Sequence, residues 1–245
     1  MRYPVTEIFS SIQGEGLLVG CRQVFIRMHG CNLSCAYCDT ITGEFPACCR
    51  VEATPGKSDF KLIANPLGAA DIAEATASLD LSRHHSVSLT GGEPLLYPSL
   101  VKELTPLIKG TRQGIYLETN GTLPDSLAEV IDCVDMVAMD FKLPAMTGCA
   151  PLWETHRRFL KTAASKYTFV KIVAGDKTPP EEVITAAELI KDTAPGVPLV
   201  IQPVSAGGNI MAVAAKHLLE LQELALSIID DVRVIPQTHK IMGFL

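Results

Sequence analysis

From residue 86 onward one pattern recurs along the chain: a short run of apolar, largely β-branched residues, a turn carrying glycine or polar residues, then a stretch with apolar positions three and four apart. The apolar runs predict strands at 86–90, 114–119, 136–141, 168–174, 198–204 and 231–236. The stretches between and after them predict helices over PSLVKELTPLIK, SLAEVIDCV, WETHRRFLKTAAS, PEEVITAAELIKD and AVAAKHLLELQELALSII. Upstream, QVFIRM at 23–28 predicts a further strand and DIAEATASL at 71–79 its crossover helix. Strands alternating with helices of this length make βαβ units and a parallel sheet, hence an α/β protein. Periodicity alone does not separate an open doubly wound sheet from a closed or partly closed barrel.

Polar motifs follow the predicted strands: Thr-Gly-Gly-Glu-Pro after the first, Glu-Thr-Asn-Gly, Asp-Phe-Lys, Gln-Pro-Val-Ser and Pro-Gln-Thr-His-Lys at the ends of later ones. All sit at carboxyl ends, the edge where both architectures place their sites, so five clusters are expected at one mouth. Residues 41–65 break the rhythm with glycine, proline, threonine and two adjacent cysteines. A stretch this long without regular pattern predicts an insertion over the site. Residues 1–245 are expected to form one domain carrying that inserted loop.

Composition narrows the function. Hydrophobic residues make up 47% of the chain, ample for a large core, and the formal net charge is −6 with lysines and arginines scattered. A nucleic-acid partner would want a clustered basic face, so none is expected. The start, MRYPVTEIFSSIQ, has no charged-then-apolar leader pattern, and no apolar run approaches the ~18 residues of a spanning helix. A cytoplasmic protein without a membrane partner is expected. Eight cysteines in such a chain then point to metal or redox chemistry, away from a disulfide scaffold.

Three of them, Cys31, Cys35 and Cys38, fall within eight residues. A structural zinc site wants four ligands, for which His29, Cys21, Cys48 or Cys49 could supply the last. A cubane iron–sulfur cluster is normally held by four thiolates, so three leave one iron open, and an open coordination site is what catalysis needs.

The CxxxCxxC spacing, with Tyr37 just before the last cysteine, resembles the radical S-adenosylmethionine (SAM) superfamily, and Thr90-Gly91-Gly92-Glu93-Pro94 resembles its Gly-Gly-Glu motif. That resemblance implies a partial (β/α)6-type barrel of parallel strands, a [4Fe–4S] cluster on the three cysteines, SAM chelating the open iron, and reductive cleavage of SAM to a 5′-deoxyadenosyl radical. Within the superfamily, Phe9-Ser-Ser-Ile-Gln-Gly-Glu-Gly16, Phe25-Ile-Arg27, Cys38-Asp39-Thr40 and the later strand-end motifs resemble the 7-carboxy-7-deazaguanine synthases of queuosine biosynthesis, along nearly the whole chain. The implied reaction is a carbon–nitrogen lyase conversion of 6-carboxy-5,6,7,8-tetrahydropterin to 7-carboxy-7-deazaguanine with loss of ammonia, with SAM regenerated and Mg2+ assisting.

The same resemblance implies residue roles. Glu15, between glycines, suits the N–H edge of a pterin, with Gln13, Gly16 and Thr90 beside it; Arg27 suits the substrate carboxylate; His239 and Lys240 reach the substrate from the last strand. Tyr37, Gly91, Gly92, Glu93, Glu118, Asn120, Lys142, Gln202 and Ser205 are expected around SAM, with Glu93 on its amino group. Thr40 is the implied Mg2+ ligand, Asp39 a lesser one. An electron donor such as flavodoxin or ferredoxin and a homodimer are further expectations. Two features depart from the family pattern: Leu-Pro-Ala-Met-Thr-Gly after Lys142, and the Cys48-Cys49 pair. Competing readings are an activase that makes a glycyl radical on a partner protein, or a non-catalytic iron–sulfur or zinc module.

Overall fold

The structure, a computed structural model, describes residues 1–38, 43–205 and 213–244. Seven of the apolar runs form the parallel part of one sheet: β2 (Arg22–Met28), β5 (Ser86–Gly91), β6 (Ile115–Thr119), β7 (Met136–Phe141), β8 (Tyr167–Ala174), β9 (Leu199–Pro203) and β10 (Val232–Val234). Three more strands precede β5: β1 (Val5–Ile12) runs antiparallel to β2, β3 (Cys48–Glu52) parallel to β1, and β4 (Phe60–Ala64) antiparallel to β3. The order is β10-β9-β8-β7-β6-β5-β2-β1-β3-β4, so the edges are different strands and, among the described residues, the partial barrel is not hydrogen-bonded into a ring.

The crossovers are helical: α1 (Ala69–Ala77), α2 (Pro98–Leu104), α3 (Pro124–Val130), α4 (Pro144–Thr147), α5 (Trp153–Ala163), α6 (Pro180–Thr193) and α7 (Ala215–Leu226), with α8 (Thr238–Met242) after β10. Their apolar stripes cover one sheet face, where Val87, Leu89, Leu117, Val137, Met139, Val170, Ile172, Leu199 and Ile201 meet helix residues such as Leu104, Phe159, Ile190 and Leu221. Because side chains alternate along a strand, the intervening residues face inward. There a small second cluster of Tyr116, Met136, Phe169 and Val200 plugs the start of the strands. One or two pleats further on, the same inward rows carry Glu118, Asp140, Lys171 and Gln202, which place polar chemistry above an apolar floor.

Two expectations are corrected. The stretch read as an insertion over the site contains the β3–β4 hairpin, which widens the sheet at the β1 edge; of its described residues none lines the cavity that holds the three cysteines, and Arg50 alone lines the cavity beside it. The last strand, expected over 231–236, is three residues long, because Pro236 has no N–H to continue a ladder and the chain turns into α8. Among the described residues no helix is long and apolar enough to cross a membrane.

Candidate active site

The carboxyl ends of the strands open into a cavity of about 400 Å3. Of the residues expected at the site, Glu15, Gly16, Arg27, the three cysteines, Tyr37, Thr90, Gly91, Gly92, Glu118, Asn120, Lys142, Gln202, Ser205 and Lys240 line it. A neighbouring cavity of about 440 Å3 shares Glu15, Arg27, Thr90, Glu118 and Lys240 with the first and adds Gln13 and His239. Thr40 and Asp39 lie outside the described residues.

The Gly-Gly-Glu turn is shaped by backbone packing. At Gly91, with φ +123°, a Cβ would stand 2.2 Å from the Met28 carbonyl, and at Gly92 it would stand 1.9 Å from the Gly30 carbonyl. Only glycine lets the end of β5 press against the chain leading into the cysteines, where Glu93 N–H donates to Gly30 at 2.8 Å. Glu93 itself is fully buried behind the cavity wall and does not line it. It accepts from Leu95 N–H at 3.0 Å, Asn120 N–H at 2.7 Å and the Thr119 hydroxyl at 2.9 Å, and burial pushes its carboxyl up to about 7 against those bonds. In this structure Glu93 forms a strut that fixes Asn120. Asn120 in turn donates to Asn32 at 2.8 Å and to the Cys31 sulfur at 3.7 Å.

Gln13 is also a strut. Its amide nitrogen donates to Glu118 at 2.6 Å and to Gln23 at 3.0 Å, while its carbonyl accepts from Glu15 N–H at 3.0 Å. Thr90 donates to the other Glu118 oxygen at 2.5 Å. Burial, with the nearby Glu15 charge adding to it, raises the Glu118 carboxyl above the usual range. Arg27 spends its Nε on Glu7 at 2.8 Å, a partner not foreseen from sequence, and its terminal nitrogens have no hydrogen-bond partner among the described residues.

Across the cavity runs a charged chain. The Glu15 carboxylate binds the Lys171 ammonium and accepts from Gln237 at 2.7 Å; Lys171 also faces Asp140 at 3.3 Å, and Asp140 binds Lys142 at 2.8 Å. Lys142 continues to the Tyr37 hydroxyl at 3.3 Å. Burial works against each charge, but the lysines hold the Glu15 and Asp140 carboxyls below their ordinary values, and those carboxylates hold Lys171 and Lys142 above theirs. Tyr37 is pushed up to about 12 by burial, which outweighs the opposing charge and hydrogen bond of Lys142. The sequence reading passed over Lys171; its signal is a lone lysine in TFVKIVA, costly in a two-faced strand without a partner.

His156 was likewise missed. Fully buried on α5 and stacked on Phe141, it accepts Lys142 N–H at Nε2 (3.0 Å) and so donates from Nδ1 to the Gly121 carbonyl (3.1 Å), anchoring the backbone that presents Lys142. Burial depresses it from 6.5 to about 4. The folded protein therefore keeps this ring neutral where the unfolded chain already binds a proton, and its contribution, full above pH 6.5, is lost as pH falls toward 4. The stability advantage of wild type over His156→Gln should shrink by about 3 kcal/mol between pH 7 and pH 4, read from denaturant unfolding. An unchanged difference would refute the neutral ring. Using the difference removes Glu93, whose raised carboxyl acts in the opposite sense, losing stability as pH rises from 4.5 to 7.

The donor set fits a cubane with one open iron. Cys31, Cys35 and Cys38 line the cavity, among the described residues no fourth cysteine does, and His29, Cys21, Cys48 and Cys49 stay outside it. Each thiolate of a cubane holds a different iron, and among the described residues no three ligating groups close on a single ion. On the opposite side Gln202, 4% exposed, has a buried Oε1 without a hydrogen-bond partner, an acceptor left for a ligand donor.

Comparison with known proteins agrees with this donor set. Residues 25–193 match the Radical SAM superfamily. The chain is 43% identical over 242 residues to the 7-carboxy-7-deazaguanine synthase of Geobacter sulfurreducens, covering 98% of this chain and 96% of that one. It is 33% identical over 262 residues to the 7-carboxy-7-deazaguanine synthase of Methanothermobacter thermautotrophicus, covering 99% and 98%. Its fold is similar to that of QueE from Escherichia coli, with TM-score 0.61 at 22% identity over 97% of this chain and 94% of that one. A radical SAM methyltransferase from Sphaerobacter thermophilus shares the fold at TM-score 0.60 and 14% identity, over 88% and 66%.

A partial barrel with three thiols and a Gly-Gly-Glu turn at its mouth defines a radical SAM enzyme. Within that superfamily the chain belongs to the 7-carboxy-7-deazaguanine synthase family.

Proposed function

We propose that this chain converts 6-carboxy-5,6,7,8-tetrahydropterin to 7-carboxy-7-deazaguanine with loss of ammonia, as a carbon–nitrogen lyase. The observation that carries the reading is that the three cysteines and the Glu15–Lys171 pair stand in the walls of one cavity. When bound, the [4Fe–4S] cluster with SAM supplies the adenosyl radical that takes the C6 hydrogen, and Mg2+ assists the ring contraction.

The protein's own task is to hold the substrate at near-attack distance and keep other hydrogen atoms away. Glu15, ionised by its lysine, receives the N–H edge of the pterin, with Gly16 and Thr90 beside it. The terminal nitrogens of Arg27 suit a bidentate grip on the substrate carboxylate. Lys240 and His239 join from α8, which docks on the Gln-Gly-Glu-Gly loop through Thr238 N–H to the Gly14 carbonyl at 2.9 Å. Around SAM we place the Gly91–Gly92 backbone, Tyr37, Glu118, Asn120, Lys142, Gln202 and Ser205, with Glu93 bracing Asn120 from behind. Thr40 is the proposed Mg2+ ligand. A flavodoxin or ferredoxin as electron donor, a homodimer and a cytoplasmic setting complete the reading.

The test is anaerobic reconstitution followed by incubation with reductant, SAM and the carboxytetrahydropterin. The deazaguanine should appear by mass together with ammonia. Intact SAM cleavage with no deazaguanine would shift the assignment to the glycyl-radical activase.

A further inference from the structure

In the chemistry above Lys171 only keeps Glu15 ionised, yet the sheet sets it where a ligand is met. It stands opposite Asp140 in the register of β7 and β8 and lines the cavity that holds the three cysteines. Its ammonium serves Glu15 and Asp140. An ammonium has three donors, so two carboxylates leave one N–H over. Glu15 is similarly half used: a carboxylate offers about four acceptor sites, and Lys171 and Gln237 take two.

Side by side, then, stand a carboxylate with acceptor capacity to spare and a cation with a donor to spare. This acceptor–acceptor–donor order is the complement of a 2-amino-4-oxo pyrimidine edge, which offers an exocyclic amine, an N3–H and a C4 carbonyl. Resting on the pterin substrate proposed above, we infer that Lys171 donates to the C4 carbonyl of the pterin while Glu15 receives the two N–H groups, making Lys171 a specificity-determining residue. Neighbouring groups do not substitute for it. Asp140 can only accept when ionised, and Lys142 is bonded to Asp140 and Tyr37, whereas Lys171 is the lysine paired with Glu15 and so the one whose donor adjoins that carboxylate. A site that donates a charge-assisted hydrogen bond to a substrate oxygen should discriminate roughly tenfold or more against an analogue with a poorer acceptor there.

The experiment compares two ligands by titration calorimetry on the anaerobically reconstituted protein with SAM present: 6-carboxypterin and its 4-thioxo counterpart. The pair shares every N–H donor and differs in exchanging the C4 oxygen for sulfur, a much weaker acceptor. Wild type should bind the oxo compound roughly tenfold tighter or better. Lys171→Met should bring the two within about twofold, and Lys171→Arg, which keeps a cationic donor, should retain most of the preference. A purely structural loss at Lys171 would weaken both ligands alike and leave the ratio unchanged, which would overturn the inference. Equal binding of the two ligands by wild type overturns it too, without any variant having to fold. If wild type binds neither ligand, the pterin reading itself fails and takes this inference with it; binding of 6-carboxypterin without preference spares that reading.

Discussion

Cys35→Ser should leave a folded chain that no longer retains its cluster and turns over no substrate. Cys35 sits half-buried in the loop after β2, lines the same cavity as Cys31 and Cys38, and has no place in either apolar cluster, so the sheet and helices do not depend on it. Burial raises its thiol, with Lys142 opposing and the thiols of Cys149, Cys38 and Cys31 adding to the rise, so a free thiolate is disfavoured until iron takes it. A serine hydroxyl at that point neither ionises near neutral pH nor offers the soft sulfur that iron–sulfur clusters select. Since the radical chemistry comes from the cofactor, its loss should cost on the order of a millionfold in rate or more, the lower range of what enzymes supply. Iron and sulfide content, visible absorbance and product mass read the outcome. Cys48→Ser and Cys133→Ser, outside the cavity, should keep cluster and turnover. A Cys35→Ser protein that still carries four irons and makes product would break the assignment of the three thiols.

The parts of the fold that were legible from sequence are those whose physics is local. Strands β5 to β9 are covered on both faces and so read as nearly unbroken apolar runs, and Pro98, Pro124 and Pro180 mark helix starts within a residue or two of where they begin. Strand β1 escaped notice because its serines look like loop. In the structure Ser10 is buried, its N–H on Glu52 at 2.9 Å and its hydroxyl on His84 at 2.8 Å, partners 42 and 74 residues away. The β3–β4 hairpin was hidden for the opposite reason: β4 is an edge strand with Leu62 and Ile63 exposed, so no alternation betrays it. At the site, motif spacing named the residues but not their tasks. For Gln13 and Glu93 only the fold reveals the protein partners: Glu118, 105 residues from Gln13, and Asn120, 27 residues from Glu93.

Glu15→Gln should raise KM sharply and lower kcat/KM by between about thirtyfold and several thousandfold, the range for truncating one side of a buried hydrogen-bonded charge pair. The amide keeps the shape of the side chain but changes two things. It removes the charge that balances Lys171, leaving that ammonium with Asp140 as its one carboxylate, already shared with Lys142. It also turns one acceptor oxygen into an N–H donor, set against either the ammonium or the N–H edge of the substrate, where only an acceptor satisfies both. Glu15→Asp, which keeps the charge and shortens the reach, should fall between wild type and the amide. The pH profile separates this from a general loss of packing. In wild type Lys171 holds the Glu15 carboxyl below its ordinary value of 4.5, so its ion pair is complete above that pH and is lost only as acidity passes through the lower folded value. Between pH 5 and 8 the wild-type kcat/KM should therefore show no acidic limb from Glu15, and the deficit of Glu15→Gln should be constant across that window. A variant that matches wild type within threefold, or a deficit that vanishes toward pH 5, would mean that the ionised Glu15–Lys171 pair does not read the pterin.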